Sequence, residues 1–546
     1  MSNVTNAAAP CDALYRIFDG HHSPAKFLDS QRLSSLIDDA ISPMASTLWL
    51  QLRSYLCYDG LIIYYSGVLL TLVVLTSYFW FWKPSFPPNA PIVVDESIPL
   101  LGATRFFTHR WDFFRDNSKR SKSGHFSYTL GRNRMVGLSG EDARLLMFHS
   151  PNLNMEEGIN LLFGGTSRYT SQGESFNTFF IRRIARALKG DRLAKTLPAL
   201  ISDVKNWLED MAPSGTSHAV TDPFETIYGL VMQLTTRTVL CEELANDKTT
   251  QKSLLHWNET IEKSTTAATI IFPYFPSPAL LRRLYAGARI YMVFDKIIKW
   301  RRKSGQRHDD SLQIYLDFND APPDTILLLM ASLFSGVVNS GINGCWLLMY
   351  LARDAHWYAK VEEEIRVVAS KYCNSDGETR KSLAEQLTDI PLEAWEHEFP
   401  AMDLCFRETL RLQTVGSIIR KNSSGHDIPI NDQIIPNGSY ATYHICDAHL
   451  NPNIYIEPEK WDPSRFLPER AEDKKEPDAF LGWGLGRHAC SGMRFAKLEA
   501  NIATAFWVAM FEWEVVEDAL PAIDLNASAA SKPKTPVTLR YWRRQN

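Results

Sequence analysis

The segment Gly482–Gly492, "GWGLGRHACSG", holds four glycines, one cysteine and an Arg-His pair in eleven residues. A cysteine with a purely structural role normally lies in an apolar core, where the thiol acts as a small hydrophobic group. Here the glycines allow close approach of the backbone, and Arg487 and His488 are expected to favour the thiolate. The next residues, "MRFAKLEANIATAFWVAMF", have a helical apolar period, so amides at a helix start should also favour the anion. The segment therefore predicts a metal ligand or a nucleophile at Cys490.

The composition is that of an ordinary globular protein. Of 546 residues, 45% are hydrophobic and 22% are charged, and the formal net charge is −4. This balance argues against disorder and gives no reason to expect a nucleic-acid partner. The eight cysteines are scattered without a C-x-x-C pair, so neither a disulfide framework nor a zinc site is predicted.

A membrane anchor is predicted near the start of the chain. Leu61–Trp82, "LIIYYSGVLLTLVVLTSYFWFW", carries no charge, and about 20 such residues cross a bilayer. Tyrosines and tryptophans lie toward its ends, as in the aromatic belts of membrane proteins. We therefore predict one transmembrane helix over 59–83, after a tail over 1–58 and before a proline-rich hinge over 84–92. Asn3 starts an N-x-T tripeptide, the acceptor pattern for N-glycosylation, so the chain is expected to be a glycoprotein if the tail is lumenal.

The remaining chain, residues 93–546, is predicted to form a single mainly α domain with a small β region. Strand-like runs are short and cluster near 126–138, 416–445 and the C-terminus. Apolar residues recur at three- and four-residue spacing in four long stretches, over 178–212, 279–303, 324–352 and 354–371.

The third of these stretches admits two interpretations. Thr325–Ala352 contains no charged residue, so a second membrane span is the obvious alternative. Ser335, Asn339 and Asn343, however, recur every four residues and form one polar stripe on a helix. A stripe that faced lipid would leave these groups without partners. We therefore favour a long helix through the centre of the domain, with the stripe facing a cavity.

The cysteine segment resembles the ligand loop of the cytochrome P450 superfamily, F-x-x-G-x-[RH]-x-C-x-G. Trp483 stands at the aromatic position and Gly484 follows it. The resemblance implies haem b as cofactor, with the Cys490 thiolate as axial iron ligand that favours cleavage of the O–O bond. It also implies that His488 binds a haem propionate, and that Trp483 and Gly484 belong to the cofactor site.

Two further motifs occur in the order that this family shows. Glu408 and Arg411 form the E-x-x-R of "EFPAMDLCFRETLRLQT", and Arg465 lies in "EPEKWDPSRF", which resembles P-x-x-[FW]-x-P-x-R-F. In the family these three residues form a buried triad that supports the haem pocket. The resemblance also makes Arg420 and Arg183 candidate partners of the propionates.

The long helix departs from the family pattern [AG]-G-x-[DE]-T. In "SGVVNSG", Val338 replaces the acid and Asn339 replaces the threonine. An asparagine can donate a hydrogen bond but is a poor proton relay. Ser335 and Asn339 are nevertheless the predicted catalytic residues. The segment "VVNSGINGCWLL", which includes Trp346, resembles the corresponding segment in the branch of the sterol 7-alpha-hydroxylases and prostacyclin synthase.

The resemblance implies a membrane-anchored monooxygenase that uses O2 and NADPH-derived electrons, delivered by a cytochrome reductase. Its catalytic domain is expected on the cytosolic face of the endoplasmic reticulum. Two alternatives stay open: a haem-thiolate isomerase or dehydratase that needs neither O2 nor reductase, given Asn339, and a non-catalytic haem sensor or scaffold.

The expected substrate is a lipophilic small molecule. The loop over 270–281, "IIFPYFPSPALL", stands where the family has its substrate-access loop and is predicted to touch the membrane. The long tail and the Arg-His-Ala-Cys wording resemble filamentous-fungal biosynthetic enzymes, so a terpenoid, a sterol-like compound or another secondary metabolite is expected. The predicted apolar lining comprises Phe334, Val337, Val338, Ser417 and Ile418.

Overall fold

The computed structural model describes residues 62–77, 84–98, 101–163, 169–214, 217–373 and 381–544. The chain divides into two units, Met1–Lys83 and Pro84–Asn546. The described part of the first unit is one apolar helix, α1 (Ile62–Ser77), whose side chains are exposed. It lies within the predicted anchor, whereas the predicted tail and Asn3 lie outside the described residues.

The second unit is mainly helical. Its described α-helices are α2 (Arg105–Thr108), α3 (Arg110–Arg120), α4 (Glu141–His149), α5 (Met155–Phe163), α6 (Phe176–Ala187), α7 (Gly190–Met211), α8 (Pro223–Thr235), α9 (Glu242–Ala245), α10 (Lys248–Lys263), α11 (Ala267–Ile271), α12 (Pro278–Ser304), α13 (Ser311–Asp317), α14 (Pro322–Arg353), α15 (Ala355–Tyr372), α16 (Leu383–Gln386), α17 (Leu392–His397), α18 (Pro400–Gln413), α19 (Cys446–His449) and α20 (Met493–Met510). A π-helix, Thr236–Leu240, extends α8.

Ten short strands within the described residues form three sheets. The strands are β1 (Phe126–Leu130), β2 (Asn133–Leu138), β3 (Leu153–Asn154), β4 (His218–Thr221), β5 (Ser417–Asn422), β6 (Ile428–Ile430), β7 (Gln433–Ile435), β8 (Tyr440–His444), β9 (Phe511–Val515) and β10 (Leu539–Arg543). The largest sheet has the order β1-β2-β8-β5-β3, and only its β2–β8 pair is parallel. The other sheets have the orders β4-β10-β9 and β6-β7.

The predicted long helices are present, with one correction. The stretch over 178–212 is two helices, α6 and α7, because the chain leaves the helical conformation at Leu188 and Lys189. Lys189 is extended and precedes Gly190, the first residue of α7. The apolar period alone did not show this break, since the buried residues continue at helical spacing on both sides of it.

The long helix α14 runs through the interior of the second unit. Within the described residues it is the one helix long and apolar enough to cross a membrane, but 56% of its most apolar window is buried in protein. Its glycines let α8 approach closely: a Cβ on Gly341 would lie 2.6 Å from the Tyr228 ring. This packing supports a core helix rather than a second span.

The proline-rich segment is partly built into the domain. The carbonyl of Asn89 accepts a hydrogen bond from the amide of Ile434 at 3.1 Å, and that of Ile92 accepts one from Ser127 at 2.7 Å. The amide of Val94 donates back to Ser127 at 2.8 Å. The chain is therefore fixed to the sheets from Asn89 onward, a few residues earlier than the predicted start of the domain.

Candidate functional site

The cysteine segment is a closed loop. The amide of Cys490 donates to the carbonyl of Trp483 at 2.7 Å, and a 3₁₀ turn, Gly486–His488, lies between them. Gly484 has a φ of +65°, and a Cβ there would lie 2.8 Å from the carbonyl oxygen of His488. Only glycine fits this left-handed, crowded position, so the loop depends on it. The Trp483 ring packs on Phe406, with 5.9 Å between ring centroids.

The sulfur of Cys490 lies at the start of α20, as predicted. The backbone amides of Gly492 and Met493 hydrogen-bond to it and lower the pKa of the thiol, but burial is the larger effect and raises that pKa above its ordinary value. The residue as a whole is nevertheless exposed. Arg487 and His488 are not among the groups that shift this pKa, which corrects the prediction that they stabilise the thiolate. A cation bound to the sulfur would supply that stabilisation.

Arg420 lies close to two basic residues of this loop, Arg487 and His488, and no acid of the described residues contributes to the pKa shifts of Arg420 and His488. Arg420, on β5, is only 2% exposed; burial and nearby Arg487 lower the pKa of its guanidinium to about 10. Its single hydrogen bond within the described chain runs from Nη1 to the carbonyl of Phe148 at 3.4 Å, and its Nε has no partner there. Burial, Arg420 and Arg487 lower the pKa of His488, whose buried Nδ1 is likewise unpaired in the described residues. Arg420 is thus a buried cation that needs an anionic partner, and with His488 as a second possible donor it fits a ligand with carboxylates.

A second group of buried charges is fully paired. Glu408 accepts two hydrogen bonds of 2.7 Å from Arg411 and one of 3.0 Å from Arg465. Arg465 also donates to Glu472 at 2.9 Å, and all four side chains are at most 1% exposed. The structure thus brings together Glu408, Arg411 and Arg465. Glu472 was missed, because a single glutamate seven residues after an arginine gives no sequence signal.

His449 connects this charged network to the cysteine loop. Its carbonyl accepts a hydrogen bond of 2.5 Å from Arg411, and its Nε2 accepts one of 2.8 Å from the amide of Leu481. Burial lowers the pKa of His449 to about 3, so the ring is neutral and its Nε2 can act as an acceptor. The network therefore supports the segment in which Cys490 is held.

Arg183 lies outside the basic group. Its guanidinium donates to Asp320 from Nε at 2.8 Å and from Nη2 at 2.7 Å, and stacks 3.9 Å from the Phe318 ring centre. A bidentate carboxylate already satisfies this side chain. The expectation that Arg183 binds a propionate is corrected accordingly.

The polar stripe of α14 divides into two environments. Ser335 and Asn339 are exposed, and the hydroxyl of Ser335 donates to the carbonyl of Ala331 at 2.8 Å. Asn343 is buried and donates to the carbonyl of Asn339 at 2.8 Å. Val337 and Val338 pack in the main hydrophobic core, so their predicted place in the pocket lining is corrected. The accessible side of the helix carries Ser335 and Asn339.

Comparisons with known proteins identify the family. The cytochrome P450 family model matches residues 96–540, so the chain belongs to the cytochrome P450 family. Cytochrome P450 monooxygenase AacuE of Aspergillus aculeatus is 32% identical over 489 residues, which are 86% of this chain and 96% of that protein. Cytochrome P450 monooxygenase nsrP of Aspergillus novofumigatus is 32% identical over 467 residues, 83% of this chain and 88% of that protein.

A solved structure shows the same fold. The retinoic acid-bound cyanobacterial CYP120A1 superposes with a TM-score of 0.65 at 20% identity, over 84% of this chain and all of that chain. The mainly helical cytochrome P450 fold with a small β region is therefore confirmed. The chain is a haem-dependent oxidoreductase of the monooxygenase type, and two of its relatives, AacuE and nsrP, are fungal, as the sequence led us to expect.

The described residues fit haem. An iron ion would take the Cys490 sulfur, which two backbone amides already contact. The unpaired nitrogens of Arg420 and His488 can donate to the carboxylates that a porphyrin carries. Haem bound at this place would thus satisfy the groups that the protein itself leaves without partners.

Proposed function

We propose that this chain is a membrane-anchored monooxygenase that oxidises a lipophilic secondary metabolite with O2 and NADPH-derived electrons supplied through a cytochrome P450 reductase. The observation that carries the proposal is the exposed residue Cys490 before α20, together with the buried cation of Arg420, which has no acidic partner within the described residues. The first feature suits a metal ion and the second suits the carboxylates of the same cofactor.

In this proposal each residue of the loop has one task. Cys490 binds iron, and the amides of Gly492 and Met493 share the negative charge of its sulfur. Arg420 and His488 hold the carboxylates of the porphyrin, whereas Trp483 and Gly484 shape the loop. Haem with a thiolate ligand supplies the activation of oxygen.

The substrate side of the site is assigned to α14. Ser335 and Asn339 are the polar side chains on its accessible side, and we propose that they orient water that carries protons to the reaction. Val338, at the position of the usual acid, is buried and cannot titrate. The protons must therefore come from solvent or from an acid on another element.

The proposed membrane contacts involve two apolar surfaces. One is the exposed helix α1, within the predicted single-pass anchor of the endoplasmic reticulum. The other is the loop before α12, where Phe272, Tyr274 and Phe275 are exposed, Tyr274 by 95%. Large aromatic side chains at such exposure are typical of membrane-facing surfaces. A lipophilic substrate would then enter from the bilayer.

The proposal is tested by the absorption spectrum of the reduced, CO-bound protein. We expect a Soret band at the position typical of thiolate ligation in the parent protein, and its loss in Cys490→Ala. Cys373→Ser, a change at a partly exposed cysteine remote in sequence, is the matched control and should keep the band. A parent protein without porphyrin, or an unchanged band in Cys490→Ala, would contradict the proposal.

The isomerase or dehydratase alternative is favoured by one observation, the absence of both an acid and a hydroxyl at Val338 and Asn339. The two reactions differ in their need for electrons. Product formed from a candidate metabolite only with NADPH and reductase supports oxygenation. Product formed with neither supports the redox-neutral reaction.

A further inference from the structure

A buried glutamate lies on the same helix that begins beside Cys490. Glu499, in the middle of α20, is 1% exposed. Its Oε1 accepts a hydrogen bond of 3.2 Å from the hydroxyl of Thr235. The hydroxyl of Ser340 is close enough to the carboxyl to lower its pKa. Its Oε2 has no partner within the described chain. The carboxyl therefore joins three helices: α20, α8 and α14.

The environment favours the neutral form of this carboxyl. Burial raises its pKa well above the ordinary value, and the hydroxyls of Thr235 and Ser340 only partly oppose this effect. No charged side chain of α8, α14 or α20 within the described residues contributes to the shift. A neutral acid at such a place costs much less than a carboxylate and can still accept a hydrogen bond from a hydroxyl.

Thr235 also sets the distance between α8 and α14. A Cβ on Gly336 would lie 2.7 Å from the Cγ2 atom of Thr235, so the two helices touch at this point. Ser340 lies four residues after Gly336, on the same side of α14. The backbone of α8 changes to the π-helix directly after Thr235, so the regular α-helical hydrogen bonding of α8 also ends at this contact.

The contact lies next to the accessible polar residues of α14. Ser335 immediately precedes Gly336, and Asn339 immediately precedes Ser340. A rotation or shift of α14 at Gly336 and Ser340 would therefore move Ser335 and Asn339 by a similar amount. Their separation from Cys490 depends on how α14 is held against α20.

We infer that Glu499 is a positioning residue: its carboxyl fastens α14 to the helix that begins beside Cys490, and so fixes where Ser335 and Asn339 stand relative to the sulfur. The inference rests on the proposed function, because the sulfur matters as an iron ligand there. It differs from a role in proton transfer, since it requires the shape and hydrogen bonds of the carboxyl but not its proton.

The experiment uses the full-length, haem-loaded protein and two probes, imidazole and 4-phenylimidazole, titrated by the shift of the Soret band. Glu499→Gln keeps the length and an acceptor oxygen, and should bind both probes as the parent does. Glu499→Leu keeps the volume but not the hydrogen bonds. It should bind imidazole normally and the larger probe about fivefold more weakly, the equivalent of one net hydrogen bond.

Companion variants test the contact itself. Thr235→Val removes one donor with little change of shape and should show part of the effect of Glu499→Leu. Combined with Glu499→Leu it should add nothing, because both changes remove the same hydrogen bond. The exposed Glu459 gives the control variant Glu459→Gln, which should behave as the parent.

Three results would overturn the inference. Parent-like binding of both probes by Glu499→Leu would show that the carboxyl holds nothing in place. A Glu499→Gln variant as weak as Glu499→Leu would show that the acid proton is used. Amide hydrogen exchange of α14 gives a readout that does not depend on haem: Glu499→Leu should speed exchange around Gly336 and Ser340. Unchanged exchange would refute the inference even if the proposed function failed.

Discussion

Two groups of basic side chains near the cysteine loop each contain a buried arginine, and the groups differ in their partners. Arg411 and Arg465 share Glu408, and Arg465 also reaches Glu472, so each guanidinium is paired within the chain. Arg420 is equally buried, yet it has one weak hydrogen bond to a carbonyl and a second basic group beside it.

This difference indicates which arginines support the fold and which can bind a ligand. A buried charge without a partner costs several kcal/mol, so a fold that keeps one must recover this cost when a ligand arrives. In the paired network every guanidinium nitrogen already donates to an acceptor, and the network holds the loop through His449. The unpaired group has donors to spare, and it is the one that we assign to the haem carboxylates.

The sharpest test of this comparison is to break the paired network. Glu408→Gln leaves Arg411 and Arg465 buried without their shared charge, and should destabilise the protein by about 3–5 kcal/mol. Urea unfolding followed by circular dichroism measures the loss. Glu514→Gln, which breaks the exposed pair with Arg540, is the control and should change the unfolding free energy little. A small effect of Glu408→Gln would remove the distinction between the two groups.

The second test removes the unpaired cation. Arg420→Met should leave the fold intact, because it deletes an uncompensated buried charge. It should weaken haem binding by about ten- to a hundredfold, the range for a lost hydrogen bond between charged groups. The rate of haem transfer to an excess of a competing apoglobin measures this. Normal haem retention together with a destabilised fold would reverse the roles that we give to the two groups.

A third test uses pH. Burial raises the pKa of the Cys490 thiol, so the iron-free protein carries a proton there at neutral pH. Iron binds the thiolate, and the proton must leave when haem binds. Haem affinity should therefore rise by about tenfold per pH unit up to the pKa of the thiol. Affinities measured at several pH values check this, and a flat profile would mean that the sulfur is already ionised.

The smallest expected effect concerns Arg183, which matches Arg420 in chemistry but has an acid partner. Arg183→Met should leave haem affinity within about twofold of the parent, since the guanidinium is already satisfied by Asp320. It should lower the free energy of unfolding by about 1–3 kcal/mol, because Asp320 loses its charged hydrogen bonds. The haem-transfer assay and urea unfolding measure both quantities. Rapid loss of haem from Arg183→Met would show instead that Arg183 contributes to the cofactor site.

The roles of residues in short local patterns could be predicted from the sequence. Glu408 and Arg411 are one turn apart on a helix, so their ion pair follows from spacing alone. The place of Cys490 before a helix follows from the apolar period that starts after it. The course of α14 through the interior could also be inferred, because its polar stripe excluded a lipid-facing helix.

Hydrogen-bond partners that are distant in the chain could not be predicted from spacing. The contact of Glu499 with Thr235 spans 264 residues, and that of Arg465 with Glu408 spans 57; the latter was expected only through the family resemblance. The predicted role of Arg183 was wrong for the same reason, since its partner Asp320 is 137 residues away along the chain. Spacing gives no information on which of several similar side chains will meet.

The sequence by itself determined the cysteine that we propose as iron ligand, the glycine-dependent turn that holds it, and most of the long helices, because each depends on neighbouring residues and on backbone geometry. Only the tertiary structure decided which arginines are paired and which are left for a ligand, and which acid joins the long helix to the helix after the cysteine. Those outcomes depend on burial, and a side chain becomes buried only when segments far apart in the chain pack together.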